Sequence, residues 1–570
     1  MVTGQHLGLT RWYAFEMAMD RRTFLRGAGG GAALGIGATL LDSCTNSAKL
    51  TGHGASTTKY QNLPGAGIGK GTPVRGGQIT MSTGSEINGF DPSQSSWDAT
   101  GLQYAATIYD QLAGLAPDGS VHPYLAESIT PNAAYDVWTI QMRPNVVFHN
   151  GKALDAAAVK TNLDAFVASA LTGAAFNNVE KTTVTGPLTV QVTTKTPWAA
   201  FPYYLASQVG TIAEPTTLGG SAQNHPIGTG PFSFVDWVPN VHFTAKRNPN
   251  YWRPNLPYLD TIEFTPLIDP GSREDALRSG SIDIMQSNFT QNLVDLWNLS
   301  GYAVVNDLFS TFEPDMDCVM LNMDAPPFDD IRVRQALAYA ANPEVIVQDI
   351  WNGIPPVSTG PFVPGSPDYG PTGYPKFNLS KATDLVKQVE HDTGKPIPTF
   401  TFDTVPSSQY VRINELVQQM WLKAGIQCTI QQIEQSELIQ NALTGKFQAT
   451  AWQQFNSPDP DANYVWWSTK SVQPIGGLSL NMARNSDPLI QQALETGRES
   501  TDPHTRALAY QEVARRFAVD LPYLWANRAV WMVAAHDSVQ NFAGPTFPDG
   551  SKQLGMIAGI IQVAQMWRSS

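Results

Sequence analysis

The stretch of residues 410–430 constrains the fold most, because a helix pattern and a strand pattern follow each other directly there. Apolar side chains recur at helical spacing through residues 410–424. Gly425 then provides the residue type that commonly ends a helix. Alternate positions from Ile426 to Ile430 are apolar, as in a half-buried strand. A helix leading at once into a strand indicates an α/β layer.

The same two patterns occur elsewhere in the chain. Strands are predicted at residues 78–81, 137–143 and 188–193, and one apolar strand at residues 521–533. Helices are predicted where a capping residue precedes an amphipathic run, at Asp155, at either Asp329 or Asp330, at Asn342 before Pro343 and at Asp502 before Pro503. Because 570 residues exceed what one hydrophobic core accommodates, we predict a mixed α/β body of two lobes.

Charge and motif content argue against two classes of function. The formal net charge is -13, and an acidic surface is poorly suited to nucleic-acid phosphates. No GxSxG, HExxH or CxxC motif occurs, and the 9 His are not grouped in a metal-ligand pattern. We therefore predict neither an enzyme nor a cofactor or metal site, and no nucleic-acid partner.

The first 44 residues have the order of an export signal. Arg21 and Arg22, followed by Phe24 and Leu25, are similar to a twin-arginine signal, and a short Gly/Ala-rich apolar run follows them. Cys44 stands where a lipoprotein signal places its acylated cysteine. The sequence leaves open whether Cys44 is acylated or lies by chance after an ordinary cleavage site. We predict a signal peptide at residues 1–44 and a flexible tether at residues 45–74. The mature protein is then expected in the periplasm or lipid-anchored on the outer face of the cytoplasmic membrane.

The two remaining cysteines, Cys318 and Cys428, allow two interpretations. They can pair in an exported protein, or they can be two separate buried thiols. The sequence does not decide between these, because it does not give the distance between the two Cα atoms.

Six segments occur in the order found in one protein family. They are Trp-Thr-Ile-Gln-Met-Arg-Pro-Asn-Val-Val-Phe-His-Asn-Gly at residues 138–151, Gly-Thr-Gly-Pro-Phe at 228–232, Asn-Pro-Asn-Tyr-Trp at 248–252, Leu-Arg-Ser-Gly through Asp at 277–283, the helix pattern at 330–340 and Pro-Asp-Pro-Asp at 458–461. Together they resemble extracellular solute-binding protein family 5, whose members include peptide-binding and nickel-binding receptors of ABC transporters.

This resemblance implies a type II periplasmic-binding-protein fold, with two lobes joined by a hinge and an extra N-terminal subdomain. Lobe I is then expected at residues 75–314 and 521–570, with the subdomain at about 92–222 inside it, and lobe II at residues 315–520. The chain is expected to cross between the lobes near Asp315 and near Leu521. Hinge closure on a ligand held between the lobes is the expected motion.

The resemblance also implies the function of a monomeric receptor that captures a small solute and delivers it to an ABC permease, and through it to an ATPase. A short peptide is the leading ligand. Oligosaccharides, metal chelates and other polar solutes remain open, as does a sensor or surface-interaction role without transport.

The ligand contacts are expected near residues 452–461. In peptide-binding members an aspartate just after an aromatic residue receives the ammonium of the peptide, and the matching position here is Phe455 or Asn456, neither of which is acidic. Asp459 is a candidate substitute, and Trp452 and Gln454 lie in the same stretch. Elsewhere, Glu86 is a candidate amine partner, Trp97 a stacking wall and Arg484 a carboxylate partner.

Overall fold

The structure is a computed structural model, and it describes residues 57–220, 225–310, 315–455, 457 and 459–569. The export signal with Arg21, Arg22, Phe24, Leu25 and Cys44 lies outside the described residues, as do residues 45–56 of the tether and Asn456. Within the described part of the chain, none of the helices has the length and apolar character needed to span a membrane.

The secondary structure alternates between strands and helices through most of the chain. The strands are β1 Gln78–Thr83, β2 Ala113–Leu115, β3 Val121–Pro123, β4 Ala126–Pro131, β5 Val137–Met142, β6 Val179–Gly186, β7 Thr189–Thr194, β8 Phe232–Val238, β9 His242–Arg247, β10 Thr261–Pro266, β11 Ile284–Ser287, β12 Tyr302–Asn306, β13 Met316–Leu321, β14 Phe400–Thr404, β15 Cys428–Gln432, β16 Ala449–Gln454, β17 Tyr523–Arg528, β18 Met532–His536, β19 Val539–Gln540, β20 Met556–Ile557, β21 Ile560–Ile561 and β22 Trp567–Arg568.

The helices are α1 Ala99–Ile108, α2 Ala156–Ala168, α3 Phe201–Leu205, α4 Pro270–Ser279, α5 Thr290–Leu296, α6 Ile331–Ala340, α7 Pro343–Ile350, α8 Leu379–Thr393, α9 Ser408–Lys423, α10 Gln435–Thr444, α11 Tyr464–Trp467, α12 Pro488–Glu499 and α13 Pro503–Asp520. Short 3-10 turns cover Thr57–Tyr60, Gln208–Gly210, Pro215–Thr217, Pro460–Asn463 and Thr469–Ser471.

The predicted caps define the starts of several helices. The side chain of Asp155 accepts from the backbone N–H of Ala158, and that of Asp502 accepts from Thr505. Asp330, rather than Asp329, caps α6, and Asn342 caps α7 with Pro343 in its first turn. The sequence-based helix predictions are confirmed at these positions, because each capping side chain satisfies an N–H that the helix itself leaves free.

Lobe I is built on a seven-stranded sheet with the order β12-β18-β11-β1-β10-β9-β8. The central strand β1 pairs in parallel with both β10 and β11, while β18 joins the sheet antiparallel from near the C-terminus. Ile79, Phe243, Phe264 and Val533 are fully buried in the core on this sheet. The helix α1 contributes Tyr104 and Ile108 to the same core.

Lobe II is built on a five-stranded sheet with the order β15-β14-β16-β13-β17, and each face of this sheet carries its own apolar core. The helices α6 to α9 cover one face, and α10 to α13 contribute to the core on the other. Cys428 belongs to the first core and Cys318 to the second, and both thiols are free. The two cysteines are therefore separate buried thiols in this structure.

The small subdomain has a four-stranded antiparallel sheet, β4-β5-β7-β6, packed against α2. Its core runs from Leu112 to Ile212. This core is shorter than the predicted range of about 92–222, because α1 packs into the core of lobe I instead.

The chain crosses between the lobes twice, and the second crossing differs from the prediction. The first lies between β12 and β13, as expected near Asp315. The apolar stretch of residues 521–533 is not one strand, as predicted, but two: β17 pairs with β13 in lobe II, and β18 pairs with β11 and β12 in lobe I. The crossing therefore lies between Arg528 and Met532. The run is mostly apolar because both strands are buried, and Asn527 and Arg528 interrupt it just before the crossing.

Candidate ligand-binding site

Side chains from three neighbouring strands of lobe II line a small cavity. Met320 of β13 lies opposite Tyr523 of β17, and Trp452 and Gln454 project from β16 on the same side of the sheet. These positions share a face because side chains alternate along each strand. Phe455, Trp466, Leu480 and Met482 complete the lining of the cavity. Its volume of about 10 Å³ is roughly the space of a single water molecule.

The lining of this cavity is almost entirely apolar or aromatic. The ring of Phe455 lies 6.1 Å from that of Trp452 and 5.8 Å from that of Trp466, both tilted or edge-on. Gln454 adds an amide to this lining and Tyr523 a hydroxyl group. Such a surface suits an apolar or aromatic group of a ligand.

The subdomain packs against the same apolar core of lobe II as the cavity residues do. Leu171 and Ala174, from the loop after α2, and Trp452 and Trp466 of lobe II are all partly buried against this core. All residues that line the cavity belong to lobe II.

A buried ion pair within lobe II is hydrogen-bonded to two residues of the subdomain. Nε of Arg498 donates to Oδ1 of Asp461 at 2.8 Å, and their side chains are only 5% and 0% exposed. From the subdomain, the indole of Trp198 donates to Asp461 Oδ2 at 2.6 Å, and the hydroxyl of Tyr204 donates to the Asp461 carbonyl at 2.5 Å. Arg498 Nη2 in turn donates to that hydroxyl at 2.9 Å. We call these four residues the subdomain clamp.

Several polar contacts also join the two lobes directly. Gln435 of lobe II donates to Oδ2 of Asp98 at 3.2 Å, and Asn288 of lobe I donates to the hydroxyl of Tyr410 at 3.1 Å. Asp98 also caps α1 through the N–H of Gly101, and burial raises its pKa above the ordinary value. The structure thus shows the cleft closed, with lobe II in contact with lobe I and with the subdomain.

Comparison with known proteins identifies the family. The family model for the middle part of "Bacterial extracellular solute-binding proteins, family 5" matches residues 120–474, which is more than half of the chain. This chain belongs to solute-binding protein family 5. Glutathione-binding protein GsiB of Pectobacterium atrosepticum is 25% identical over 472 residues, which cover 78% of this chain and 87% of GsiB.

Solved structures share the fold of this family 5 protein. The oligopeptide-binding protein AppA from Bacillus subtilis, in complex with a nonapeptide, has a TM-score of 0.76 and 21% identity, and the match covers 88% of this chain and 100% of AppA. The binding protein AgaA from A. tumefaciens R10, in complex with agropinic acid, has a TM-score of 0.74 and 22% identity, with 87% and 99% covered. The predicted type II periplasmic-binding-protein fold is confirmed by these neighbours.

Three of the residues predicted to contact ligand come together in this family 5 protein. Trp452, Gln454 and Phe455 all line the cavity of lobe II. Asn456 follows Phe455 directly but lies outside the described residues. The sequence-based analysis missed Met320, Tyr523 and the other lining residues. No local motif marks them, although the alternation along β13 and β17 places Met320 and Tyr523 on one side once the pairing is known.

Asp459, the predicted substitute amine anchor, is paired within lobe II. Both of its carboxylate oxygens accept from Arg506 Nη2, at 2.6 and 2.7 Å, and Oδ1 also accepts the N–H of Asp461. Asp459 therefore begins the turn Pro460–Asn463 and is neutralised by Arg506. In this closed conformation its carboxylate is engaged by protein groups.

Glu86 and Trp97 are likewise engaged inside lobe I. The carboxylate of Glu86 accepts from Trp237 Nε1 at 3.2 Å and from the N–H of Asn240 at 2.6 Å. The indole of Trp97 donates to the Gly89 carbonyl at 2.8 Å, and the side chain is buried. Both side chains organise the loops after β1 in this conformation, rather than presenting a free carboxylate or ring face as predicted.

Arg484, the predicted carboxylate partner, supports the end of a helix instead. Nη1 donates to the Met482 carbonyl at 2.8 Å, and Nη2 lies 3.4 Å from the carbonyl of Leu443 in the last turn of α10. The residue is 1% exposed and has a φ of 58°, and burial lowers its pKa. A cation at the negative end of a helix is favourable, which explains this placement.

A polar group that the sequence did not reveal lies near the hinge. Asp317 of β13 accepts from Gln453 at 3.1 Å and from Asn527 at 2.7 Å, across the two neighbouring strands. Burial raises the pKa of Asp317 to about 7, and it does the same for Asp307, which precedes the first crossing. These two carboxyl groups titrate near neutral pH because the closed protein removes them from water. Among the described residues, no three His, Cys, Asp or Glu side chains are grouped so as to hold a metal ion.

Proposed function

We propose that this family 5 protein is the ligand-capturing component of an ABC importer, which encloses a small solute between its lobes and delivers it to a membrane permease. The observation that carries the proposal is the aromatic cavity of Trp452, Phe455 and Trp466 in lobe II, beside a core against which the subdomain also packs. If the lobes and the subdomain separate, this surface becomes accessible to a ligand, so binding and closure are coupled.

A short peptide with an apolar or aromatic side chain is the ligand that we propose. The cavity offers an apolar surface to such a side chain, and backbone groups of a peptide suit the amide of Gln454 and the cleft-facing backbone. The peptide ligands of AppA and the name of GsiB favour peptide-like compounds for this chain as well. Oligosaccharides, metal chelates and other polar solutes, such as the agropinic acid of AgaA, are the competing ligands.

The free amine of that peptide contributes little to binding in this proposal. Phe455 or Asn456 stands at the position of the aspartate that receives the ammonium in peptide-binding members, and neither is acidic. The neighbouring carboxylates of Asp459 and Asp461 are already paired with Arg506 and Arg498. A buried ammonium without a carboxylate partner is costly, so the peptide terminus is expected to stay in contact with water or neutral acceptors.

The protein is proposed to act as a monomer tethered outside the cytoplasmic membrane. The twin-arginine-like segment at Arg21 and Arg22 directs export, Cys44 carries the lipid, and the residues after Cys44 link the lipid to the folded body. This tether is shorter than the predicted 45–74, because Tyr60 packs on Trp297 and Asn62 donates to the Asn306 carbonyl of lobe I. Replacing Cys44 by Ser should release the protein from the membrane fraction into the soluble extracytoplasmic fraction. If the variant stays with the membrane like the parent protein, the lipid anchor at Cys44 is refuted.

The first experiment is to identify the ligand that co-purifies, by native mass spectrometry before and after mild unfolding. Peptides released on unfolding support the proposal. A released sugar or metal chelate would contradict the proposed peptide ligand but support the receptor function. If nothing is released, a thermal-shift screen of ligand pools follows, where a ligand at 100 times its Kd adds about 2.7 kcal/mol. No shift with any pool would favour a sensor or surface-interaction role.

Two comparisons then test the site itself. Peptides that bind are compared with their N-acetylated forms, whose affinity is expected to agree within about threefold. Trp452→Ala is expected to weaken binding by about tenfold or more, because it removes an aromatic wall of the cavity. Trp297→Ala, at a tryptophan that packs on Tyr60 in lobe I, controls for a general loss of stability. A large loss of affinity on acetylation would show that a charged group binds the peptide amine. Unchanged affinity in Trp452→Ala would show that the cavity is not part of the ligand site.

A further inference from the structure

A second cavity, with a volume of about 580 Å³, lies between lobe I and the subdomain. Its lining comes from residues 143–145 after β5, residues 252–256 after β9 and residues 546–550 near the C-terminus. No residue of lobe II takes part in the lining. The volume falls in the range of small-molecule sites, and the cavity does not depend on closure of the lobes.

Two guanidinium groups face this cavity, and one tyrosine fixes both of them. Arg143 Nε donates to the carbonyl of Tyr124 at 2.8 Å. Arg253 Nη1 lies 3.3 Å from the hydroxyl of the same tyrosine, and its Nη2 donates to the Phe547 carbonyl at 3.2 Å. The two cations are thus held in place before any ligand arrives, which lowers the entropy cost of binding.

Neither arginine forms an ion pair with any carboxylate among the described residues, although the protein has 49 Asp and Glu against 36 Lys and Arg. The nearby acids are otherwise engaged: Asp549 accepts from Ser551, and Asp110 accepts from Thr229, Tyr251 and Trp252. Glu127 acts on Arg143 only from beyond ion-pair distance. Both Nη groups of Arg143 consequently remain available to a ligand.

Aromatic rings form the walls beside these cations. The guanidinium of Arg143 lies 5.5 Å from the centre of the Trp252 ring, and the indole nitrogen of Trp252 is fixed by Asp110 at 2.8 Å. Phe547, which also lines the cavity, stacks on His122 with 5.1 Å between the ring centres. A planar guanidinium beside a fixed aromatic face is a common arrangement for binding carboxylates and phosphates.

We propose that this cavity is a second ligand site, which binds a small organic anion with its carboxylate or phosphate on the Nη groups of Arg143. The aromatic or aliphatic body of the anion lies against Trp252, and Arg253 provides a second, fixed positive charge. This site is separate from the cleft of the proposed receptor function, because lobe II contributes nothing to it.

The test is isothermal titration of the full protein with benzoate and phenyl phosphate, and with uncharged benzyl alcohol for comparison. The two anions are expected to bind and the alcohol is not. Arg143→Gln is expected to weaken anion binding by about tenfold or more, because the paired oxyanion loses its charge partner. Arg75→Gln makes the same change of net charge at an exposed arginine outside the cavity and is expected to leave the affinity unchanged.

Three results would overturn this inference: no binding of either anion, equal binding of benzyl alcohol, or equal affinity in Arg143→Gln. A crystal soaked with para-iodobenzoate provides a measurement that does not depend on a variant. Anomalous density between Arg143 and Trp252 supports the site, and density elsewhere, or none, refutes it. Trp452→Ala separates the two sites, since it is expected to leave anion binding intact even if the cleft takes a different ligand from the one proposed.

Discussion

The indole nitrogen of Trp198, in the core of the subdomain, donates a hydrogen bond of 2.6 Å to the carboxylate of Asp461 in lobe II. Asp461 is at the same time the ion-pair partner of Arg498, and all three side chains are buried. One carboxylate therefore neutralises a cation within its own lobe and binds a neighbouring domain. This arrangement links the electrostatics of lobe II to closure of the cleft.

Removing the charge of Asp461 should destabilise the folded protein strongly. Asp461→Asn keeps an acceptor for Trp198 but leaves the buried cation of Arg498 without its partner, which typically costs about 3–5 kcal/mol. Unfolding in urea measures this loss. Glu495→Gln, at the exposed pair with Lys470, is the matched control and should cost at most about 1 kcal/mol. Similar small losses in both variants would mean that water replaces the partner of Arg498.

Removing only the hydrogen bond between domains should shift the protein towards an open form. Trp198→Phe retains the apolar packing of the subdomain, but Asp461 Oδ2 loses its donor when the lobes close. The penalty applies to the closed state, since water can reach the carboxylate in an open one. Small-angle scattering of the unliganded variant should give a larger radius of gyration, and ligand affinity should fall by about tenfold.

The control for this closure prediction is Trp138→Phe, in the same subdomain core, whose indole nitrogen has no hydrogen-bond partner. It should change neither the radius of gyration nor the affinity. If Trp198→Phe also leaves both unchanged, the subdomain and lobe II do not separate when the cleft opens.

The stability of the protein should depend on pH through Asp317. Its pKa is raised from 3.8 to about 7 in the folded protein, so the folded state binds more protons than the unfolded state between these values. The contribution is therefore fully present below pH 4 and is lost as pH rises to about 7. Asp317→Asn should flatten this part of the curve of unfolding free energy against pH.

Only the slope of that curve is diagnostic, because an asparagine facing the donors of Gln453 and Asn527 adds a cost that is the same at every pH. Asp275→Asn, at an exposed residue, is the control and should leave the slope unchanged. Asp307 is expected to produce part of the same slope, so the variant reduces it without abolishing it. An identical slope in Asp317→Asn and the parent protein would show that Asp317 is ionised throughout.

Arg484→Ala should reduce stability without affecting the ligand. The guanidinium donates to the Met482 carbonyl and lies near the Leu443 carbonyl at the end of α10, and its removal leaves the Met482 carbonyl without this donor, at a cost of about 1–3 kcal/mol. Ligand affinity, measured where the variant is fully folded, should stay within about twofold of the parent. Arg484→Lys retains the charge and should recover part of the stability. A loss of ligand affinity in Arg484→Ala with no loss of stability would show that Arg484 contacts the ligand.

Much of the local structure could be predicted from the sequence, because it depends on neighbours in the chain. Asp155, Asn342 and Asp502 cap helices as predicted, since the capping side chain and the N–H it satisfies are two or three residues apart. The alternation in β5 and β7 likewise gave the buried faces of those strands. The order of six motifs was enough to indicate the family and the fold.

Contacts between distant residues were decided only by the tertiary structure. The sequence indicated Trp452 and Phe455 as candidate ligand contacts but gave no sign of Met320 or Tyr523, which line the same cavity through strand pairing. It offered Asp459, Glu86 and Arg484 as ligand partners, and in the fold Arg506, Trp237 and the end of α10 engage them. The type of a charged residue determines which groups it can bind. A buried charge must be compensated by a group that the fold brings beside it, and that group can come from any part of the chain.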